Sequence, residues 1–172
     1  MKSKKASETY TLKTELVLPN DTNNLGNLMG GKLLHWMDII SAIAAQRASN
    51  RTVVTIAVDF VEFKFSIPLG SVVILEAFVT RSFTTSMEVR IDVSFENLQT
   101  GEKKHSNSAY YTFVAVDQSG RPIPVTKVVP ETDNELSLHE SAMQRRELRL
   151  LLAGRIKPEE ATELRELLTS HK

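Results

Sequence analysis

Apolar and polar residues alternate with a period of two between Tyr10 and Leu18, where Tyr10, Leu12, Leu16 and Leu18 stand against Thr11, Lys13 and Glu15. That spacing predicts a strand with one dry face and one wet face. A run of turn-forming Pro, Asn, Asp, Thr and Gly follows from Pro19 to Asn27 and reads as a loop. Gly30 and Gly31 then open KLLHWMDIISAIAAQRAS, whose Leu and Ala content and freedom from Pro and Gly predict a helix of about five turns. Asp38 is the only formally charged residue between Leu33 and Gln46. A helix apolar nearly all round is expected to be buried and wrapped by other elements.

The period of two then resumes. Val54, Ile56, Val58 and Phe60 alternate with Thr55, Ala57 and Asp59, predicting a strand with one apolar face, and Val72 to Thr80 reads as an almost continuously apolar strand. Met87, Val89, Ile91, Val93 and Phe95 alternate with Ser86, Glu88, Arg90, Asp92, Ser94 and Glu96, a strand with one dry and one charged face. QTGEK reads as a hairpin turn into a last strand from Ser106 to Asp117. The predicted order is one strand, one buried helix and four strands in succession, with short connections that favour antiparallel neighbours.

From Glu131 onward Val and Thr give way to Leu, Glu and Arg. Two helices are expected there, the first stopping near Gly154 and the second starting at Pro158. Leu148, Leu151 and Leu152 with Leu164, Leu167 and Leu168 would form an apolar stripe, packing on the same chain or on a sister subunit. The organisation expected is therefore a domain over 1–130 and a helical extension over 131–172.

Composition narrows the chemistry. With 172 residues, 41% of them apolar, the chain can bury one substantial core. Lys plus Arg and Asp plus Glu are equal at 21 each, so no global field favours nucleic acid or an anionic membrane. The absence of cysteine removes disulfides, thiolate metal sites and a Cys nucleophile. His35, His105, His139 and His171 show no metal-ligand spacing, so no metal is expected. The opening MKSKKASETY lacks the apolar run of a signal peptide, and no stretch approaches the roughly 20 apolar residues of a membrane span. A cytoplasmic, soluble protein is the expectation.

Asp38 is the first candidate for chemistry. A carboxylate among Leu34, Trp36, Met37, Ile39 and Ile40 costs several kcal/mol to desolvate, about enough to demand a partner or a purpose. Gly31, Leu34, His35, Ser41, Ala42 and Ala45 share its face at helical spacing, and most are small, leaving room for another chain or a ligand. Either a basic side chain from a neighbouring strand pairs with Asp38, or the carboxylate is there for general-base work. The second candidate is the loop LPNDTNNLGNLMGG, which feeds the helix N-terminus. First-turn N–H groups have no carbonyl partner, and glycine lets a carbonyl oxygen approach them, so this is either an ordinary Gly-rich turn or an oxyanion site.

The run LPNDTNNLGNLMGGKLLHWMD, continued in TIAVDFVEFKFSIPLG, TTSMEVRIDV and YTFVAVDQSGRPIPV, resembles hotdog-fold acyl-CoA thioesterases of the cytosolic acyl-CoA hydrolase type over roughly residues 10 to 130. The resemblance implies an α+β hotdog fold, a long helix wrapped by an antiparallel sheet. It also implies a homo-oligomer whose active unit is a dimer joined edge to edge, assembled further as a trimer of dimers into a hexamer. By resemblance Asp38 is the catalytic carboxylate and Asn23 the catalytic Asn, contributed by different subunits, with Asn24 beside it. The Gly31 N–H, with that of Gly30, would hold the oxyanion, and Thr85 and Ser86 would help hold the coenzyme A portion. The substrate implied is an acyl-CoA, with coenzyme A released as product and no separate cofactor. Lys64, Arg81, Arg90 and Lys127 are candidates for its phosphates by composition only, whereas Trp36 and Phe60 are expected in the core.

Two rivals share the fold. A dehydratase acting on acyl thioesters needs a His in the loop before the helix, and none stands there. A non-catalytic acyl-CoA sensor needs everything except Asp38.

Overall fold

The computed structural model describes residues 3–169, and the chain divides into two compact units between Val129 and Pro130. In the first unit a five-stranded antiparallel sheet curls around one long helix. Its strands are β2 (Thr11–Leu16), β3 (Thr52–Asp59), β4 (Val72–Ser82), β5 (Ser86–Glu96) and β6 (Lys103–Val116), in the spatial order β2-β4-β5-β6-β3. Two residues at each end of the unit, β1 (Lys4–Lys5) and β7 (Val128–Val129), pair in parallel as a separate two-stranded sheet.

The helix α1 (Gly30–Ser49) lies on the concave face. Trp36, Met37, Ile40, Ala44 and Ala48 pack on the inward residues of β4 and β5, such as Leu75, Ala77, Val89 and Ile91. Each large side chain so buried is worth about 1.5–3 kcal/mol. Asn50 stops the helix in the left-handed conformation at φ 52°, which Asn tolerates better than other non-glycine residues. The alternation read in β5 is realised, with Met87, Val89, Ile91 and Val93 inward.

The helix is not wrapped all round. Its sheet-facing side is buried while Ile39 and Ile43 are exposed, because the sheet ends at the edge strand β3 and leaves that flank of the helix uncovered.

The expected alternation of β3 also fails, for a local reason. Thr55 pairs with Phe113 of β6, but Ala57 pairs with Thr112, so Ile56 is an extra residue in the strand. A bulge of this kind reverses the faces beyond it. Thr55 and Val58, opposite the inward Phe113 and Tyr111, therefore face the helix, whereas Val54 faces outward with Val114. Phe60 leaves the core as well: at φ 60° it is exposed, its ring edge-on to Tyr110 at 6.4 Å. Trp36 is buried, as expected.

The second unit contains α2 (Asp133–Leu152) and α3 (Thr162–Thr169). Thr132 caps α2 by accepting from Glu135 N–H at 3.2 Å. Pro158 opens a three-residue 3-10 turn, so α3 starts later than Pro158, and the buried Glu147 carboxylate accepts from Leu164 N–H at 2.8 Å. The leucine stripe closes only in part: Leu148, Leu151 and Leu164 are half-buried, but Leu152 and Leu168 are exposed, because an eight-residue α3 covers little of α2.

Candidate active site

The loop before α1 is built by short-range polar chemistry. Asp21, buried, accepts from Leu18 N–H at 3.1 Å, meets Lys32 Nζ at 3.1 Å, and its backbone carbonyl accepts from Met29 N–H at 2.9 Å. Burial pushes its carboxyl up, but the Leu18 N–H and the Lys32 ammonium outweigh that and hold it below the usual carboxylate value. Asp21 thus braces the loop against the first turn of the helix. Farther on, Leu28 N–H donates to Ile67 at 2.8 Å and Leu69 N–H to Gly26 at 2.9 Å, tying the loop to the segment before β4.

Asn23 lies between these braces. Its Oδ1 accepts from the N–H groups of Leu25 at 2.9 Å and Asn27 at 3.2 Å, an arrangement only the oxygen can make. The amide nitrogen therefore has no partner among the described residues and is left to donate outward. Asn24 is exposed in the same turn.

Asn23 and Gly30 border a cleft of about 350 Å³ walled by Leu25, Leu28, Leu33, Phe63, Phe65 and Ile67. Beside it the N–H groups of Gly30 and Gly31 donate to no intrachain carbonyl among the described residues, as expected in the first turn of a helix. Gly30 lines the cleft, whereas Gly31 is exposed beside it. The Phe63 ring sits 3.4 Å from where a Cβ on Gly30 would stand, so a side chain there would press on the ring.

Asp38 occupies the uncovered flank of α1 and is half-buried, less enclosed than the expected core position. The Thr55 hydroxyl donates to its Oδ1 at 2.7 Å, and no Lys, Arg or His forms an ion pair with it among the described residues. The pairing with a basic side chain is thus not found. Tyr111 of β6, its hydroxyl 3.4 Å from the Leu34 carbonyl, is pushed up to about 12 by burial first and by the Asp38 charge second. Asp38 and Asn23 of one chain do not share a cleft: Gly30 and Asp38 stand eight residues apart, about 12 Å along the helix axis.

Thr85 and Ser86 lie in the β4–β5 hairpin, at the other end of β4 from the loop, and neither borders the cleft. Of the basic candidates, Lys64 meets Glu62 at 3.7 Å and Arg90 is held by Asp92 at 2.8 Å, while Arg81 lies over the Phe83 ring at 5.7 Å. The Lys127 side chain is exposed. His171 lies outside the described residues. Among the described residues no group of three His, Cys, Asp or Glu could hold a metal ion, and no helix is long and apolar enough to cross a membrane. Thr55, Phe63 and Phe65 were not singled out from the sequence. For the two rings the signal was the period of two in EFKF; for Thr55 there was none, because its direction depends on the bulge in β3.

A curled antiparallel sheet around one central helix is the hotdog fold. The chain belongs to the thioesterase superfamily, whose family match spans residues 25–102, and within it to the hotdog-fold acyl-CoA thioesterases. It is 45% identical to the uncharacterized acyl-CoA thioester hydrolase YkhA of Bacillus subtilis over 138 residues, 80% of each chain. A solved apo-hexameric acyl-CoA thioesterase superposes with a TM-score of 0.86 at 44% identity, over 89% of this chain and 98% of that one. An acyl-CoA hydrolase of Staphylococcus aureus, solved with butyryl coenzyme A and coenzyme A, superposes with a TM-score of 0.83 at 32% identity, over 98% and 99%. That enzyme has also been solved with an Asp, a Thr or an Asn replaced by Ala; its Asp stands 15 positions after its Asn, and its Thr 17 after its Asp.

Proposed function

We propose that this protein hydrolyses acyl-CoA to a carboxylic acid and coenzyme A, with Asp38 of one subunit and Asn23 of the facing subunit acting on the same thioester. The observation that carries the reading is the disposition of Asn23, Asp38 and Thr55. They stand 15 and 17 positions apart, the spacing of the three residues replaced in the Staphylococcus aureus enzyme. The same spacing supports Asn23 over Asn24.

The chemistry follows from the donors and acceptors present. The Asn23 amide N–H, with the free N–H of Gly31 or Gly30, receives the thioester carbonyl oxygen as it gains negative charge. Asp38, oriented by Thr55, takes a proton from water, the water oxygen bonds to the carbonyl carbon, and the carbon–sulfur bond breaks with coenzyme A thiolate leaving. Direct attack by Asp38, forming an anhydride that water then cleaves, uses the same groups. Neither route needs a cofactor.

The 12 Å or so between Gly30 and Asp38 along one helix is the reason for two subunits. β3 is an edge strand with Val54, Ile56 and Val58 exposed. Pairing two such edges about a twofold axis runs the two α1 helices antiparallel and brings Asp38 of one toward the loop of the other, while removing two exposed edges. It also carries Thr85 and Ser86 toward the facing subunit's loop, where they would meet the coenzyme A portion. A trimer of such dimers gives the hexamer, working in the cytoplasm.

The test is release of coenzyme A thiol from acyl-CoAs of increasing length, with Asp38→Asn beside the wild type. The chain has no cysteine, so the protein adds no thiol background. Rapid release that collapses in the variant is expected. No release from any ester with tight binding retained would overturn the reading in favour of an acyl-CoA sensor.

A further inference from the structure

We propose that Phe63 sets the acyl chain length this protein accepts, by walling a cleft that receives the hydrocarbon end of the substrate. The inference rests on the proposed hydrolysis and names a determinant of its specificity.

The free amide nitrogen of Asn23 and the free N–H of Gly30 stand at the rim of the cleft, so a thioester oxygen held there leaves its acyl carbons facing the cavity. None of the residues bordering the cleft is charged, and six of them are Leu, Ile or Phe. Such a wall suits a hydrocarbon and offers nothing to the phosphates at the other end of the substrate. The cleft holds about 350 Å³, so the carbons of a longer chain extend beyond its apolar wall.

Phe63 is the wall best placed to set that limit. Its ring touches the position above Gly30, at the rim. It lies on a segment with no helix or strand, between β3 and β4, and is 49% exposed, outside the core cluster. A large ring held on irregular backbone and contributing nothing to the core is available to be moved or resized without unfolding the domain. Phe65, 55% exposed, lines the same cleft two residues on.

The experiment measures kcat/KM on acyl-CoAs from two to sixteen carbons for the wild type, Phe63→Ala and Phe63→Trp, with product inhibition by free coenzyme A alongside. For the wild type kcat/KM should rise about fourfold for each methylene the cleft buries and then level off. Removing a ring frees roughly the space of a benzene molecule, on the order of 150 Å³, so Phe63→Ala should move the break by about two to four carbons toward longer chains. Phe63→Trp should move it toward shorter ones. Profiles of both variants parallel to the wild type at every length would overturn the inference and leave the hydrolase reading standing. Equal losses on acetyl-CoA and in coenzyme A inhibition would overturn it too, by giving the cleft to the pantetheine arm. No thiol release from the wild type at any length would overturn the functional reading itself, and this inference with it.

Discussion

Replacing Asn23 by Asp separates its two tasks. The oxygen that accepts from Leu25 and Asn27 is kept, while the amide nitrogen that has no intrachain partner becomes a carboxylate oxygen. The loop should therefore fold, and the donor aimed at the substrate should be gone. Losing one donor to a developing oxyanion costs about 2.7–4 kcal/mol of barrier, or roughly 10²–10³ in kcat. Added negative charge at that point makes this a lower bound. Asn23→Ala removes the donor and both turn bonds, each worth about 0.5–1.5 kcal/mol. It should lose the roughly 10²–10³ in kcat of the missing donor without the added repulsion, but also lower the melting temperature by a few degrees, since about 1 kcal/mol shifts it by about 2–4 °C at this size. The assay is thiol release at saturating acyl-CoA, paired with thermal unfolding of each variant. Wild-type kcat in Asn23→Asp would refute the reasoning, because it would mean that the free amide nitrogen is not used.

Further outcomes follow from the same geometry. Thr55→Val keeps the shape of the side chain and removes the 2.7 Å bond to Asp38; a hydrogen bond to a charged group is worth about 1.5–3 kcal/mol, so kcat should fall roughly tenfold or more with KM little changed. An unchanged kcat would mean that Thr55 does not orient the carboxylate. Asp21 is held below the usual carboxylate value of 3.8, so the stability it contributes is fully present above that pH and lost as pH falls through its lowered folded value. Acid unfolding of Asp21→Asn should accordingly show a shallower loss below about pH 4 than the wild type, and superimposable slopes would count against the brace. Ile56→Lys puts a charge on the exposed edge at the bulge, and sedimentation should find the 19.3 kDa monomer with thiol release lost. An active monomer would sink the two-subunit site.

The order of the elements was legible because it rests on local periodicity. The Met87 to Phe95 alternation and the uninterrupted Leu and Ala run after Gly31 specify a strand and a helix by themselves, since burial on one face selects the same residues in any surrounding fold. Asp38 and the loop at Asn23 were visible for a related reason: a lone carboxylate in an apolar helix and a cluster of turn residues before two glycines are anomalies in the chain itself. Other features depend on partners distant in sequence. Lys4 pairs with Val128, a contact with no periodic signal at either end. The bulge at Ile56 exists only in the register against β6, and it reversed the expected faces of β3 and turned Thr55 toward Asp38. Which atom of Asn23 is free, and which rings wall the cleft, followed from backbone N–H groups and loop positions that the chain acquires only on folding. Residue type and spacing along the chain determined the elements and nominated the chemistry. Tertiary structure alone decided orientation, because a side chain's direction in a strand or loop is set by the register and hydrogen bonds it shares with residues far along the chain.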